Sequence, residues 1–85
     1  MCNTFRSEMG KNIKNIRLQK KITQETVSFE TGISRSHIAM IESGKRDVTV
    51  CNLFKISRAL NVNLREIFAF DEVDKFSFNP DDLYI

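Results

Sequence analysis

The stretch TQETVSFETGISRSHIAMIESGKRDVTV, residues 23–50, decides the fold. Thr23 is placed to cap a helix, and Ile22 before it can staple onto Val27. That helix should stop near Gly32, because a residue without a Cβ readily takes the left-handed conformation of a helix end. Ser34 caps the next segment, whose Ile38 and Ile41 share one face, and Ser43-Gly44 closes it. Two short helices joined by a tight glycine turn have the spacing of a helix-turn-helix.

Working outward, a first helix is expected over residues 7–20, with Ser7 as its cap and Met9, Ile13 and Ile16 as an apolar stripe. Arg17 prolongs that stripe, which suits a long stem lying along the core edge. Beyond the motif, residues 45–48 read as a loop. Thr49 can cap a fourth helix reaching about Leu60, with Leu53, Ile56 and Leu60 inward. Asn61 suits its terminal turn, and Asn63 can cap a short fifth helix over 64–68. The result is an all-α, five-helix domain over residues 7–69. Residues 70–85 change character into an acidic, aromatic tail. There Phe76-Ser77-Phe78 alternates like a strand and Asn79-Pro80-Asp81-Asp82 reads as a turn, so the tail is extended or a strand.

Composition narrows the function classes. Eighty-five residues suffice for one domain and one core, not for a cleft between domains. Apolar residues at 41% and charged residues at 28% fit a folded chain rather than a disordered one. No apolar run of membrane-spanning length occurs, and the first residues have no signal-peptide pattern, so a cytoplasmic protein is expected. Cys2 and Cys51 form no CxxC pair, and the single His lacks partners at metal spacing, so neither a disulfide, a metal nor a cofactor is expected. There is no nucleophile triad and no phosphate loop, which argues against an enzyme. The net charge of +2 hides an asymmetry. Residues 1–66 carry twelve Lys/Arg against six Asp/Glu, and residues 67–85 carry one against five. A basic body with an acidic end can meet a polyanion.

Gln24-Glu25, Gly32-Ile33-Ser34, Ile38, Ile41-Glu42-Ser43-Gly44 and Ala59-Leu60-Asn61-Val62 occur in order and in register. Together they resemble the helix-turn-helix domain of the phage Cro/C1 repressors, the XRE family, over roughly residues 9–68. Arg35-Ser36-His37 and the run from Glu42 to Thr49 look most like the controller proteins of restriction–modification systems. The resemblance implies a lambda-repressor-like fold and binding to double-stranded DNA at a palindromic operator.

It also implies roles for particular residues. The second motif helix enters the major groove with its N-terminal residues nearest the bases, which gives base reading to Arg35, Ser36, Ala39 and Met40. Arg35 can pair with guanine O6 and N7, while Met40 either touches a thymine methyl or is a half-exposed spacer. Phosphate contacts fall to Gln24, Ser34, Lys45 and Arg46, and His37 either joins them or stays solvated. In the family an arginine at the place of Arg17 pairs with the glutamate at the place of Glu42, locking the first helix to the reading helix.

The departures from the family pattern are specific. Ser28 stands where a small Ala is usual and is expected to bond back to its own helix. Val48 replaces a common Pro. Phe29 and Phe54 fall at positions expected to be exposed, which suggests a covered surface. One reading helix spans few base pairs, so a homodimer is expected, through Phe54, Leu64, Ile67 and Phe68. The tail either pairs with its symmetry mate or folds back over the core. A transcriptional regulator follows, with Glu25 and Glu30 as candidate contacts to RNA polymerase. The alternative is an antitoxin-like protein-interaction module that uses the tail.

Overall fold

Four of the helices begin on a side chain that satisfies a backbone N–H otherwise left without a partner. Thr23, Ser34 and Thr49 accept from the backbone N–H of Thr26, His37 and Asn52 at 3.0, 3.2 and 3.1 Å. Asn63 accepts from Glu66 N at 3.2 Å while Glu66 Oε2 accepts from Asn63 N at 2.9 Å, a complete capping box. The computed structural model describes residues 2–70, and there the chain forms α1 (Cys2–Gln19), α2 (Gln24–Thr31), α3 (Arg35–Glu42), α4 (Val50–Ala59) and α5 (Leu64–Ile67). No strand occurs among the described residues. The strand and turn expected over residues 76–82 lie outside them.

Three helices end in the same way. After α1, Lys21 has φ 59°, with Ile22 N donating to Arg17 O and Lys21 N to Leu18 O, both at 3.0 Å. After α3, Gly44 occupies the left-handed position, and after α4, Asn61 does, each with the same pair of backbone hydrogen bonds. Gly32 ends α2 at φ 77°.

The first helix is longer than expected. It begins at Cys2, so Ser7 lies inside it rather than capping it. The added turn is held by tertiary contact. The Phe5 ring stacks on Phe68 at 6.3 Å and meets Phe70 edge-on at 5.6 Å. Phe70, expected to open the tail, is therefore joined to the helical body.

The core is one cluster. Met9 and Ile13 of α1, Val27 of α2, Ile38 and Ile41 of α3, and Leu53 and Ile56 of α4 meet there, closed by Ile33, Leu60, Val62 and Ile67. The i, i+3, i+4 spacing of these residues puts each set on one helical face. A polar side chain and a glycine complete the packing of α1. Asn12 Nδ2 donates to Glu66 O at 2.9 Å and Ile67 O at 2.6 Å, binding the last carbonyls of α5. Gly10 lies against the end of α3, where a Cβ would come within 2.7 Å of Glu42 O and closer still to Ile41 O. Only a residue without a side chain lets the two helices approach this closely.

Candidate nucleic-acid interface

The short turn between α2 and α3 aims α3, and polar side chains hold it. Thr31 Oγ1 donates to Val27 O (2.7 Å) and accepts from Ile33 N (3.1 Å). Ser28 Oγ donates to Ile33 O at 2.6 Å. The expected bond from Ser28 to its own helix is thus corrected. Gly32 brings the Ile33 carbonyl back over α2, and the hydroxyl reaches across the turn instead.

Ile38, Ile41 and Glu42 of α3 are buried. The opposite face presents Arg35 and Ser36, both exposed, together with half-buried Ala39 and partly exposed Met40. Ser34, exposed at the cap, has its oxygen engaged by His37 N. The His37 side chain is half-buried; its Nε2 is shielded from solvent and has no hydrogen-bond partner among the described residues. Of the two roles the sequence left open for His37, a phosphate contact or a solvated ring, the shielded Nε2 does not fit the second. The four candidate reading residues therefore occupy one face, beginning at the free N-terminal end of α3.

A buried ionic cluster fixes the other face. Arg17 Nε donates to Glu42 Oε2 at 2.7 Å and Arg17 Nη2 to Glu42 Oε1 at 3.1 Å, with the two residues 7% and 5% exposed. Arg17 Nη1 also donates to Ile22 O at 2.9 Å, and Gln24 Nε2 donates to Glu42 Oε1 at 3.0 Å. Four donated hydrogen bonds thus tie α1, the α1–α2 turn, the start of α2 and the end of α3 together. Gln24 is half-buried and directs its amide inward to this cluster, which leaves the backbone N–H groups of the first turn of α2 as the outward donors there.

Lys45 and Arg46 follow α3 and are exposed. Their loop is tied to α1 by Arg6, whose Nε donates to Gly44 O at 2.9 Å and whose Nη1 meets Asp47 Oδ1 at 3.2 Å. Asp47, the carboxylate next to Arg46 in the chain, is therefore already paired. Sequence reasoning missed Arg6, Gly10 and Asn12. Each acts on a residue distant in the chain, and no local pattern marks such a partner.

The candidate dimer residues divide. Phe54 is 53% exposed, Leu64 is half-buried, and half-buried Phe68 carries the Phe5 ring. The expectation for Ile67 is corrected. Ile67 is 0% exposed within the protomer's own core, because it is the inward-facing residue of a single-turn helix. Outward apolar surface appears instead at Phe29 (89%) and at Val50 (78%), in the first turn of α4 beside Phe54.

The family model described as Helix-turn-helix matches residues 13–67. The control protein C.BamHI of Bacillus amyloliquefaciens is 36% identical over 74 residues, covering 86% of this chain and 91% of that protein. The crystal structure of the restriction-modification controller protein C.AhdI from Aeromonas hydrophila superposes with a TM-score of 0.71 at 34% identity, over 73% of this chain and 94% of that one. The controller protein C.Esp1396I, crystallised as a tetramer in complex with its natural 35 base-pair operator, superposes with a TM-score of 0.65 at 31% identity, over 74% of this chain and 93% of that one.

Proposed function

The chain belongs to the helix-turn-helix family, and from that premise we propose that it is a sequence-specific DNA-binding regulator of transcription. It binds a palindromic operator as a homodimer and controls restriction–modification genes. The observation that carries this reading is the division of α3. One face is pinned by the buried Arg17–Glu42 pair, and the other presents Arg35 and Ser36 outward from the helix start. A rigid helix with an exposed N-terminal arginine is what major-groove reading needs. The likeness to control proteins, one of them crystallised on its operator, supports the same reading.

Ser34, Lys45 and Arg46 flank that face and take phosphates, together with the backbone N–H groups at the start of α2 beside Gln24. Phe54, together with Leu64 and Phe68, contributes to the dimer contact, so that two copies of α3 reach half-sites about 34 Å apart. Glu25 and Glu30 are exposed on α2 with no ion pair among the described residues, which suits an acidic contact to RNA polymerase. The protein acts in the cytoplasm as a binding protein, not as a catalyst.

The test is a titration of the full chain onto the duplex immediately upstream of its own gene, and onto a scrambled duplex of equal composition. The upstream duplex is expected to bind at least about a thousandfold more tightly, with affinity falling steeply as salt rises. Equal affinity for the two duplexes would overturn sequence-specific regulation.

A further inference from the structure

An open groove of about 550 Å³ lies between the end of α1, the start of α2 and the first residue of α3. Lys14, Lys21 and Arg35 line it. Among the described residues no carboxylate lines it, and the one other cation on its wall, Arg17, is neutralised by Glu42. The side chains of Lys14, Lys21 and Arg35 have no ion pair among the described residues, whereas Arg6, Lys11 and Arg17 each have one. Like charges facing one groove repel one another, and an anion seated between them relieves that repulsion.

The backbone at Lys21 is the second observation. Lys21 sits in the left-handed position that ends α1, at φ 59°. The same position is filled by Gly44 after α3 and by Asn61 after α4, residue types that enter this conformation readily. Lys21 has a Cβ and no side-chain group that eases the conformation, so glycine would be the more stable choice. Its ammonium group, carried to the groove wall, is what glycine would lack.

We propose that Lys14 and Lys21 form a phosphate-binding site for the DNA backbone, next to the base that Arg35 reads. This rests on the regulator reading above and extends it to α1, beyond the contacts given to Ser34, Lys45 and Arg46. An ammonium group is a point charge without a fixed fork of donors, so the site holds a phosphate without reading sequence. It anchors the strand on the α1 side of α3, as Lys45 and Arg46 do on the far side.

The test uses the full chain carrying Lys21→Gly, Lys14→Gln or Lys21→Arg, titrated onto the upstream and scrambled duplexes across about 50 to 200 mM salt. Removing one phosphate-bound cation from each subunit of a dimer lowers the slope of log affinity against log salt by about two, so the fall in affinity over that range becomes roughly tenfold smaller. Lys21→Gly and Lys14→Gln are each expected to show this on both duplexes, with base preference unchanged. Lys21→Gly should melt no lower than the parent, which separates weaker phosphate binding from a damaged fold, and Lys21→Arg should keep the parental slope. Unchanged slopes in Lys21→Gly and Lys14→Gln, with Arg46→Ala still lowering its own, would overturn the site and leave the regulator reading standing. Failure of the parent chain to bind either duplex would instead overturn that reading, and this site with it.

Discussion

Arg17 and Glu42 form a two-pronged ion pair, with Nε on Oε2 at 2.7 Å and Nη2 on Oε1 at 3.1 Å, between the last turn of α1 and the last residue of α3. Both residues are buried. Their remaining polar contacts go to Ile22 O and Gln24 Nε2, so the pair is held from both sides. The angle at which α3 leaves the body is set here, by charge and hydrogen bonding, as much as by the apolar core.

Removing one partner should cost far more than removing both. Glu42→Ala leaves a buried guanidinium without its carboxylate and is expected to lose about 3–5 kcal/mol. That is a large share of the stability of any small domain. The double variant Arg17→Met, Glu42→Leu should recover most of the loss. Urea denaturation of the single and double variants measures both quantities.

Gly10 should tolerate no side chain. A methyl group there would press on the carbonyl oxygens of Ile41 and Glu42, which belong to a helix already pinned by the Arg17–Glu42 pair. Gly10→Ala should destabilise by about 1–3 kcal/mol despite the better helix propensity of alanine. Thermal unfolding beside the parent protein checks the sign.

Ser28→Ala removes the hydroxyl that donates to Ile33 O across the α2–α3 turn. The carbonyl is then left without this donor, at an expected cost of about 1 kcal/mol. Ser28→Thr keeps a donor and should lose less. Denaturant midpoints of the three proteins rank them.

What could be read from the chain and what could not divide along one line. The caps at Thr23, Ser34, Thr49 and Asn63, the left-handed Gly32 and the inward Ile38, Ile41, Leu53 and Ile56 depend on neighbours within a turn or two, so local spacing revealed them. The start of α1 did not, because its first turn is held by Phe5 reaching Phe68 and Phe70 at the other end of the body. The burial of Ile67 is hidden for a related reason. A single turn with apolar residues at 64, 67 and 68 does not reveal which of them the core takes. Arg17–Glu42 spans the chain and became legible only through a family resemblance. The cationic groove at Lys14 and Lys21 carries no signal in the sequence, since one lysine within α1 and one in the turn after it look like ordinary surface.

Phe54→Lys should separate the subunits without unfolding them. Phe54 is half out of the protomer and Val50 lies one turn before it, so an interface on α4 would bury both. A lysine at position 54 places two like charges across a two-fold contact. Sedimentation velocity is expected to show the parent as a dimer and Phe54→Lys as a monomer with an unchanged helical spectrum.

The claim that α3 reads DNA through its exposed N-terminal face is tested most directly by selecting bound sequences from a random duplex pool, with the parent chain and with Arg35→Ala. The parent is expected to enrich a palindrome carrying a guanine at one fixed place in each half-site. Arg35→Ala should lose that guanine preference, worth about 1–3 kcal/mol per half-site, and keep the rest of the palindrome. Enrichment of the same guanine by both proteins, or of no palindrome by the parent, would contradict the assignment of α3 as the reading helix.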